Sequence, residues 1–245
     1  MYRHFQSAIR PLLDVTQLST MVEVGSEQGR HTFKLLPYAR SRRAHLHVID
    51  PDPWFDTTLY RLQYGRISTL HLALSLDILP SFDSPEVVFL DGDHNWYTLI
   101  EELRILDRTY GDWPLTFTHD IEWPYGRRDM YYAPERVPAE WQQPWSRLGI
   151  VRGKSELAAE GINELLANAN HEGGPRNGVL TAIEDFLDET QRDLAFFIAP
   201  GNNGLGIIVD RDRLRDESFA NVLRRVHDPR AAIKLSPNHA SAALE

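Results

Sequence analysis

Short apolar runs alternate with helical stretches over the first half of the chain. Thr20-Met21-Val22-Glu23-Val24 has the compact apolar pattern of a buried strand. Gly25 to Gly29 reads as a turn and Arg30 to Arg40 as a helix. His45 to Asp50 is a second strand, stopped by Pro51-Asp52-Pro53. A helix follows near Phe55 to Tyr64, and Ile67 to Leu74 is a third extended stretch. Val87 to Asp91 is the fourth strand, Asn95 to Asp107 a helix, and Pro114 to His119 the fifth strand. This regular succession predicts parallel strands with helices on both faces. The polar residues that close the strands are Glu23, Asp50, Asp91 and the pair His119-Asp120. In such a sheet they converge on the rim where ligands bind.

The pattern breaks at Ile121. Residues 121–174 are rich in Trp, Tyr, Pro and Arg and read as a lid inserted into the sheet domain. Asn177 to Glu189 restores helical spacing. Leu194 to Ala199 and Gly204 to Asp210 flank the turn Pro200-Gly201-Asn202-Asn203, a hairpin that ends the sheet with an antiparallel strand. The expected fold class is therefore α/β: a three-layer α/β/α, Rossmann-like, mostly parallel sheet. One domain is expected over residues 1–228, with 229–245 a C-terminal tail.

Composition narrows the function. With 245 residues, 42% of them hydrophobic, the chain is long and apolar enough to form a core without metals or crosslinks. It contains no cysteine. That removes disulfides, zinc–thiolate centres and thiol nucleophiles, and agrees with a reducing, cytoplasmic setting. A net charge of -9 disfavours a nucleic-acid partner, because phosphates repel such a surface. No apolar run approaches the ~20 residues of a membrane helix, and MYRHFQSAIRPLLDV reads as an amphipathic helix rather than a secretory signal. The expected partner is a small molecule, and a homo-oligomer is compatible with the sequence.

Three constellations carry candidate chemistry. The first is the strand–glycine-turn–helix unit Val22 to Thr32, with Glu23, Gly25, Ser26 and Gly29. Glycines admit close backbone approach, and a helix start offers free amides. Glu27 stands where a dinucleotide fingerprint has its second glycine, and a plain connecting turn is the alternative. The second is Asp50, about 25 residues beyond Gly25, placed to accept from a ribose diol or to brace its own turn. Asp52 competes for the ribose role. The third is Asp91, Asp93, His94, His119 and Asp120.

In order and spacing, Glu23-Val24-Gly25-Ser26-Glu27-Gln28-Gly29, Asp50, Leu72 to Pro80, Asp91-Gly92-Asp93-His94-Asn95-Trp96-Tyr97 and His119-Asp120 resemble the class I S-adenosylmethionine-dependent methyltransferases. The Asp-Gly-Asp-His block is similar to that of a small-molecule O-methyltransferase-like subgroup. The resemblance implies S-adenosyl-L-methionine as cofactor. Glu23 and Gly25 would line its methionine end within a turn that includes Ser26 and Gly29. Asp50 would hold the ribose, Ser75 and Asp77 would lie near adenine, and Asp91 would sit beside the methyl group. It also implies a divalent cation, Mg2+ or Mn2+, on Asp91 and Asp120; Ile121, in the place of the second member of the pair, cannot coordinate, and His119 substitutes as third ligand only if its side chain turns to the same rim, although consecutive strand residues normally face opposite sides. The alternative is that Asp91 and Asp120 only cap strands.

For methyl transfer, His94 and His119 are the candidate bases, acting beside Asp91. Trp123, Tyr125, Arg127 and Arg128 are the candidate acceptor wall, since aromatics stack on rings and arginines fork onto anions. Each arginine has a structural alternative, a pairing with local acids. The expected activity is methylation, at oxygen, of a small polar or glycosylated molecule. Two rivals stay open: S-adenosylmethionine-dependent cyclisation or isomerisation, and a non-catalytic cofactor-binding subunit.

Overall fold

A computed structural model describes residues 1–227; the expected tail, 229–245, lies outside the described residues. Five parallel strands come first: β1 (Thr20–Val24), β2 (His45–Ile49), β3 (Ser68–His71), β4 (Val87–Leu90) and β5 (Leu115–His119). Within the inserted segment, β6 (Met130–Tyr131), β7 (Trp145–Ser146) and β8 (Ala167–Ala169) make a separate small sheet in the order β6-β8-β7. The chain then returns through β9 (Leu194–Ala199) and β10 (Leu205–Asp210). The main sheet runs β3-β2-β1-β4-β5-β10-β9, with β10 antiparallel to both of its neighbours.

Helices cover both faces because the buried strands are apolar on both. On β1, Met21 joins a core with Leu12, Leu35, Tyr60 and Phe219, drawn from α1 (Arg10–Asp14), α2 (Thr32–Arg42), α3 (Thr57–Tyr64) and α7 (Glu217–Val226). Val22 and Val24 point the other way, into a core with Leu99, Leu103, Ile183 and Phe186. That core is built by α5 (Trp96–Thr109) and α6 (Val179–Glu189), while α4 (Ser75–Ile78) adds only a single turn. The result is the three-layer α/β/α, Rossmann-like, mostly parallel sheet expected from the sequence. No described helix is long and apolar enough to cross a membrane.

Several starts and stops have visible chemical causes. Asn95 caps α5 by accepting from Thr98 N at 2.8 Å, and Asp56 caps α3 by accepting from Leu59 N at 2.8 Å. The third extended stretch ends at His71 rather than Leu74, because Leu74 is already the extended N-cap of α4.

The inserted segment is fastened by one buried carboxylate. Asp129 accepts from Trp96 N at the start of α5, from Gly178 N at the start of α6, and from Tyr131 Oη, each at 2.7 Å. Two sets of orphan helix amides thus meet one anion. The junction before α6 is a tight connection: Gly178 N goes to Asp129, Val179 N to the Tyr125 carbonyl and Leu180 N to the Gly126 carbonyl.

Candidate functional site

The strand tips enclose a cavity of about 440 Å³, within the range of small-molecule sites. Its floor comes from the turn after β1 and the segment after β4. Gly25 has φ +80°, and a Cβ there would meet the Asp91 carbonyl oxygen at 2.1 Å and Gly92 Cα at 2.7 Å. Only glycine lets the two backbones approach this closely. Gly25, Asp50, Ser75 and Asp91, all expected from the sequence, line the cavity.

Four other expected cofactor residues do not. Glu23 is fully buried on the opposite face of β1, where it takes His31 Nδ1 at 2.9 Å. Strand alternation puts it there, because Val22 and Val24 fill the cavity-side face. Ser26 is buried against Asp50. Gly29, at φ +75°, packs toward Phe33 and Phe55, and Asp77 is exposed on α4 away from the cavity.

Asp50 lines the cavity, yet its carboxylate is already engaged. Oδ2 accepts from Ser26 N, Ser26 Oγ and Glu27 N at 2.8–2.9 Å, and Oδ1 accepts from Asp52 N at 2.9 Å. It braces the β1 turn, the structural alternative left open by the sequence. Glu27 and Asp52 also line the cavity, as does Trp54, whose surface is 67% exposed. Trp54 was legible as a large aromatic in a Pro/Asp turn that no apolar periodicity claims.

At one end of the cavity lies a charged cluster. Asp120, at the tip of β5, adopts φ +59°, a left-handed conformation that aspartate tolerates better than most residues. That bend resolves a difficulty, since consecutive strand residues normally face apart. Here Asp120 Oδ2 lies 2.7 Å from His119 Nδ1 and 2.8 Å from His94 Nε2. Asp91 closes the ring, with Oδ1 3.0 Å from His119 Nδ1 and Oδ2 2.9 Å from the Met1 nitrogen.

The hydrogen bonds fix the state of His119. Its Nε2 faces the Asn202 carbonyl at 3.0 Å, which only accepts. Its Nδ1 faces two carboxylates. Both nitrogens therefore donate, and the ring is an imidazolium. Burial pulls its pKa down, but Asp91 and Asp120 outweigh burial and raise it to about 9. His119 is thus engaged through both nitrogens and is not poised as the free base expected from the sequence. Its charge holds the two carboxylates together. Burial likewise opposes the charge on His94, but Asp120 reverses that and lifts its pKa well above the ordinary value. Burial pushes the carboxyls of Asp91 and Asp120 up, yet His119 and the Met1 amine carry Asp91, and His94 and His119 carry Asp120, to the low side.

Ligand atoms of Asp91, His94 and Asp120 all lie within 4.8 Å of one another, so His94 takes the place expected of His119. Two carboxylates with one imidazole fit Mg2+ or Mn2+. The buried His94 Nδ1 has no hydrogen-bond partner; the ring is held through the nitrogen facing the cluster and by packing against Tyr125 and Tyr132. Asp93 lines the cavity next to this group, and burial raises its pKa.

The acceptor wall expected from the sequence is instead the framework of the insertion. Arg127 forks onto Glu184 at 2.5 and 2.8 Å and reaches Thr181 Oγ1 at 3.1 Å. Arg128 is fully buried, donating to the carbonyls of Ala169 and Ser155. Trp123 and Tyr125 belong to the core of the insertion with Met130 and Ile150. None of the four lines the cavity; Tyr97, Tyr132, Arg136 and Val137 do. The insertion thus supplies the wall, but from the residues that follow Met130.

No protein-family model matches the chain, and no curated protein does. Solved structures resemble it distantly. The chain is similar to an S-adenosylhomocysteine-bound methyltransferase from Podospora anserina at 10% identity, TM-score 0.47, over 82% of this chain and 76% of that one. It is similar to a methyltransferase from Geobacter sulfurreducens at 14% identity, TM-score 0.44, over 83% and 78%, and to an rRNA methylase from Streptococcus thermophilus at 12% identity, TM-score 0.43, over 82% and 92%.

Proposed function

We propose that this protein transfers the methyl group of S-adenosylmethionine to a hydroxyl of a small molecule. The observation that carries the reading is the position of the cavity: it opens at the carboxyl ends of β1, β2 and β4, where the Gly25 turn closes on Asp91 and Gly92. This is the ligand crevice of an open parallel sheet. Ser75 and Leu76 offer one end for the adenine, Asp52 and Glu27 offer acceptors for the ribose, and the Asp91–Asp93 segment faces the methyl group. Tyr97, Tyr132 and Val137 cover the acceptor.

In the reaction, the acceptor oxygen attacks the methyl carbon, the carbon–sulfur bond breaks, and the hydroxyl proton leaves to a base. The sulfonium needs no help as a leaving group, so the protein aligns the nucleophile and takes the proton. Asp93, at the cavity wall with a raised pKa, is the proton acceptor in this reading, because His94 and His119 already carry protons. Asp91, His94 and Asp120 would hold a divalent cation, with His94 giving up the proton it shares with Asp120, and the cation when bound would lower the pKa of an acceptor hydroxyl. His119 would keep the two carboxylates in place.

Incubation with S-adenosylmethionine and a panel of phenols and sugars tests the reading by product mass and by S-adenosylhomocysteine release. A mass gain of one methylene in wild type, lost in Asp93→Asn with cofactor binding retained, is the expected result. A panel compound rearranged at unchanged mass, with no S-adenosylhomocysteine released, would point to the cyclisation or isomerisation chemistry instead.

A further inference from the structure

The main sheet carries a second cluster of titratable side chains, away from the cavity. β2 and β3 form one edge of the sheet. On one face of this edge, Leu46, Val48 and Leu70 enter the core beneath α2 and α3. The other face presents His45, His47 and His71, all half-buried. This face is thinly covered, since α4, the element that follows β3, is only one turn long. Phe82 packs beside two of the rings, 4.7 Å from His47 and 5.7 Å from His71 between centroids.

Two of the three nitrogens are already gathered, and the third stands off. His47 Nδ1 and His71 Nε2 are 3.1 Å apart. Two nitrogens bound to one tetrahedral zinc ion at about 2.0–2.1 Å stand roughly 3.3 Å from each other, so this pair has the bite of a metal site. The His45 ring lies 4.8 Å from that of His47, and its Nε2 is held by Thr69 Oγ1 at 2.9 Å. To become the third ligand, His45 would leave that hydroxyl by rotation about its side-chain bonds. His45 and His47 are two apart on one strand, so both face the same way.

The charge state suits a cation. No ion pair with a carboxylate is formed by these three rings among the described residues, in contrast to His94 and His119. Burial holds all three below the ordinary histidine range; repulsion from the neighbouring rings adds to this at His47 and His71, and His47 falls to about 4. They are therefore neutral imidazoles at physiological pH, the state a metal requires. An all-nitrogen set selects Zn2+, Co2+, Ni2+ or Cu2+ over Mg2+ or Ca2+.

We infer that His45, His47 and His71 form a transition-metal site that clips the edge strand β3 to β2. The site is separate from the Asp91–His94–Asp120 group and independent of the proposed methyl transfer. Metal binding moves the hydrogen shared between His47 Nδ1 and His71 Nε2 to the opposite nitrogen of the ring that donates it, so both rings stay neutral and no proton is released. A bound ion stabilises the folded chain by mass action.

Titration with Co2+, read by visible d–d absorption, tests the inference on the full chain, with thermal unfolding in the presence and absence of Zn2+ as a second readout. Wild type and His94→Gln/Asp120→Asn should both show the tetrahedral absorption and a Zn2+-dependent rise in Tm. In His47→Gln/His71→Gln both effects should vanish, with Co2+ affinity reduced by at least about 100-fold, since loss of a second-shell partner alone costs about 10–100-fold. Should that double variant fail to fold, His45→Gln leaves the His47–His71 contact intact and should still weaken binding. Absorption that persists in the histidine double variant, that disappears in His94→Gln/Asp120→Asn, or that is absent from wild type would overturn the site.

Discussion

Glu102 offers a sharp test of how the wall beside the cavity is built. It lies on α5, is 2% exposed, and receives the Ser75 hydroxyl at 2.5 Å. Ser75 in turn lines the cavity. Burial, the largest influence, pushes the Glu102 carboxyl from 4.5 up to about 8, and the nearby Asp93 adds to the rise. In the unfolded chain this group ionises near its ordinary value. Between about pH 4.5 and 8 the unfolded chain therefore sheds a proton that the folded chain keeps. Stability must fall as pH rises through that window and level off above it. The ceiling on the loss is about 5 kcal/mol, and relaxation around the site brings the expected value nearer to about 2 kcal/mol.

Glu102→Gln keeps the shape and the acceptor for Ser75 but has no proton to lose. Urea unfolding of both proteins from about pH 5 to 9 should show near-equal stability at the acid end. At the alkaline end the variant should be the more stable by about 2 kcal/mol, or at least roughly 4 °C in Tm. A difference that stays constant with pH, or a wild type that gains on the variant as pH rises, would refute the reasoning.

Gly25→Ala introduces a Cβ at 2.1 Å from the Asp91 carbonyl oxygen and forces an L residue to φ +80°. Strain and overpacking, about 1–3 kcal/mol each, should lower Tm by at least about 5 °C and weaken cofactor binding in calorimetry. Asp129→Ala orphans Trp96 N and Gly178 N together; a loss of about 3 kcal/mol or more is expected in denaturant unfolding. Arg127→Met should lower stability by breaking its fork onto Glu184 while leaving the acceptor KM unchanged in steady-state assays. A KM effect there would restore Arg127 to the acceptor wall.

The parallel sheet was legible because its strands are short apolar runs closed by acids, prolines or glycines. Thr20–Val24 and Leu194–Ala199 match the expected strands residue for residue. The small sheet of the insertion left no trace of periodicity, because two- and three-residue strands are too short to show one. Asp91 and Asp120 could be placed at the rim from strand ends alone. The partition of His94 and His119 could not, since it depends on the left-handed bend at Asp120 and on a carbonyl from residue 202. Glu23 misled for a simpler reason: a strand-end acid points to whichever face alternation dictates, and here that face is the core side beneath α2. Arg127 and Arg128 were chosen for chemistry that suits a ligand equally well as a neighbouring acid or carbonyl, and sequence spacing does not decide between them.

The central claim is that the crevice at the tips of β1, β2 and β4 holds a sulfonium nucleoside. Isothermal titration of S-adenosylhomocysteine into the folded protein tests it without knowledge of the acceptor. Saturable binding of one molecule per chain, weakened in Gly25→Ala, is the expected result. No heat of binding with well-folded wild type, or equal affinity in wild type and Gly25→Ala, would contradict the claim.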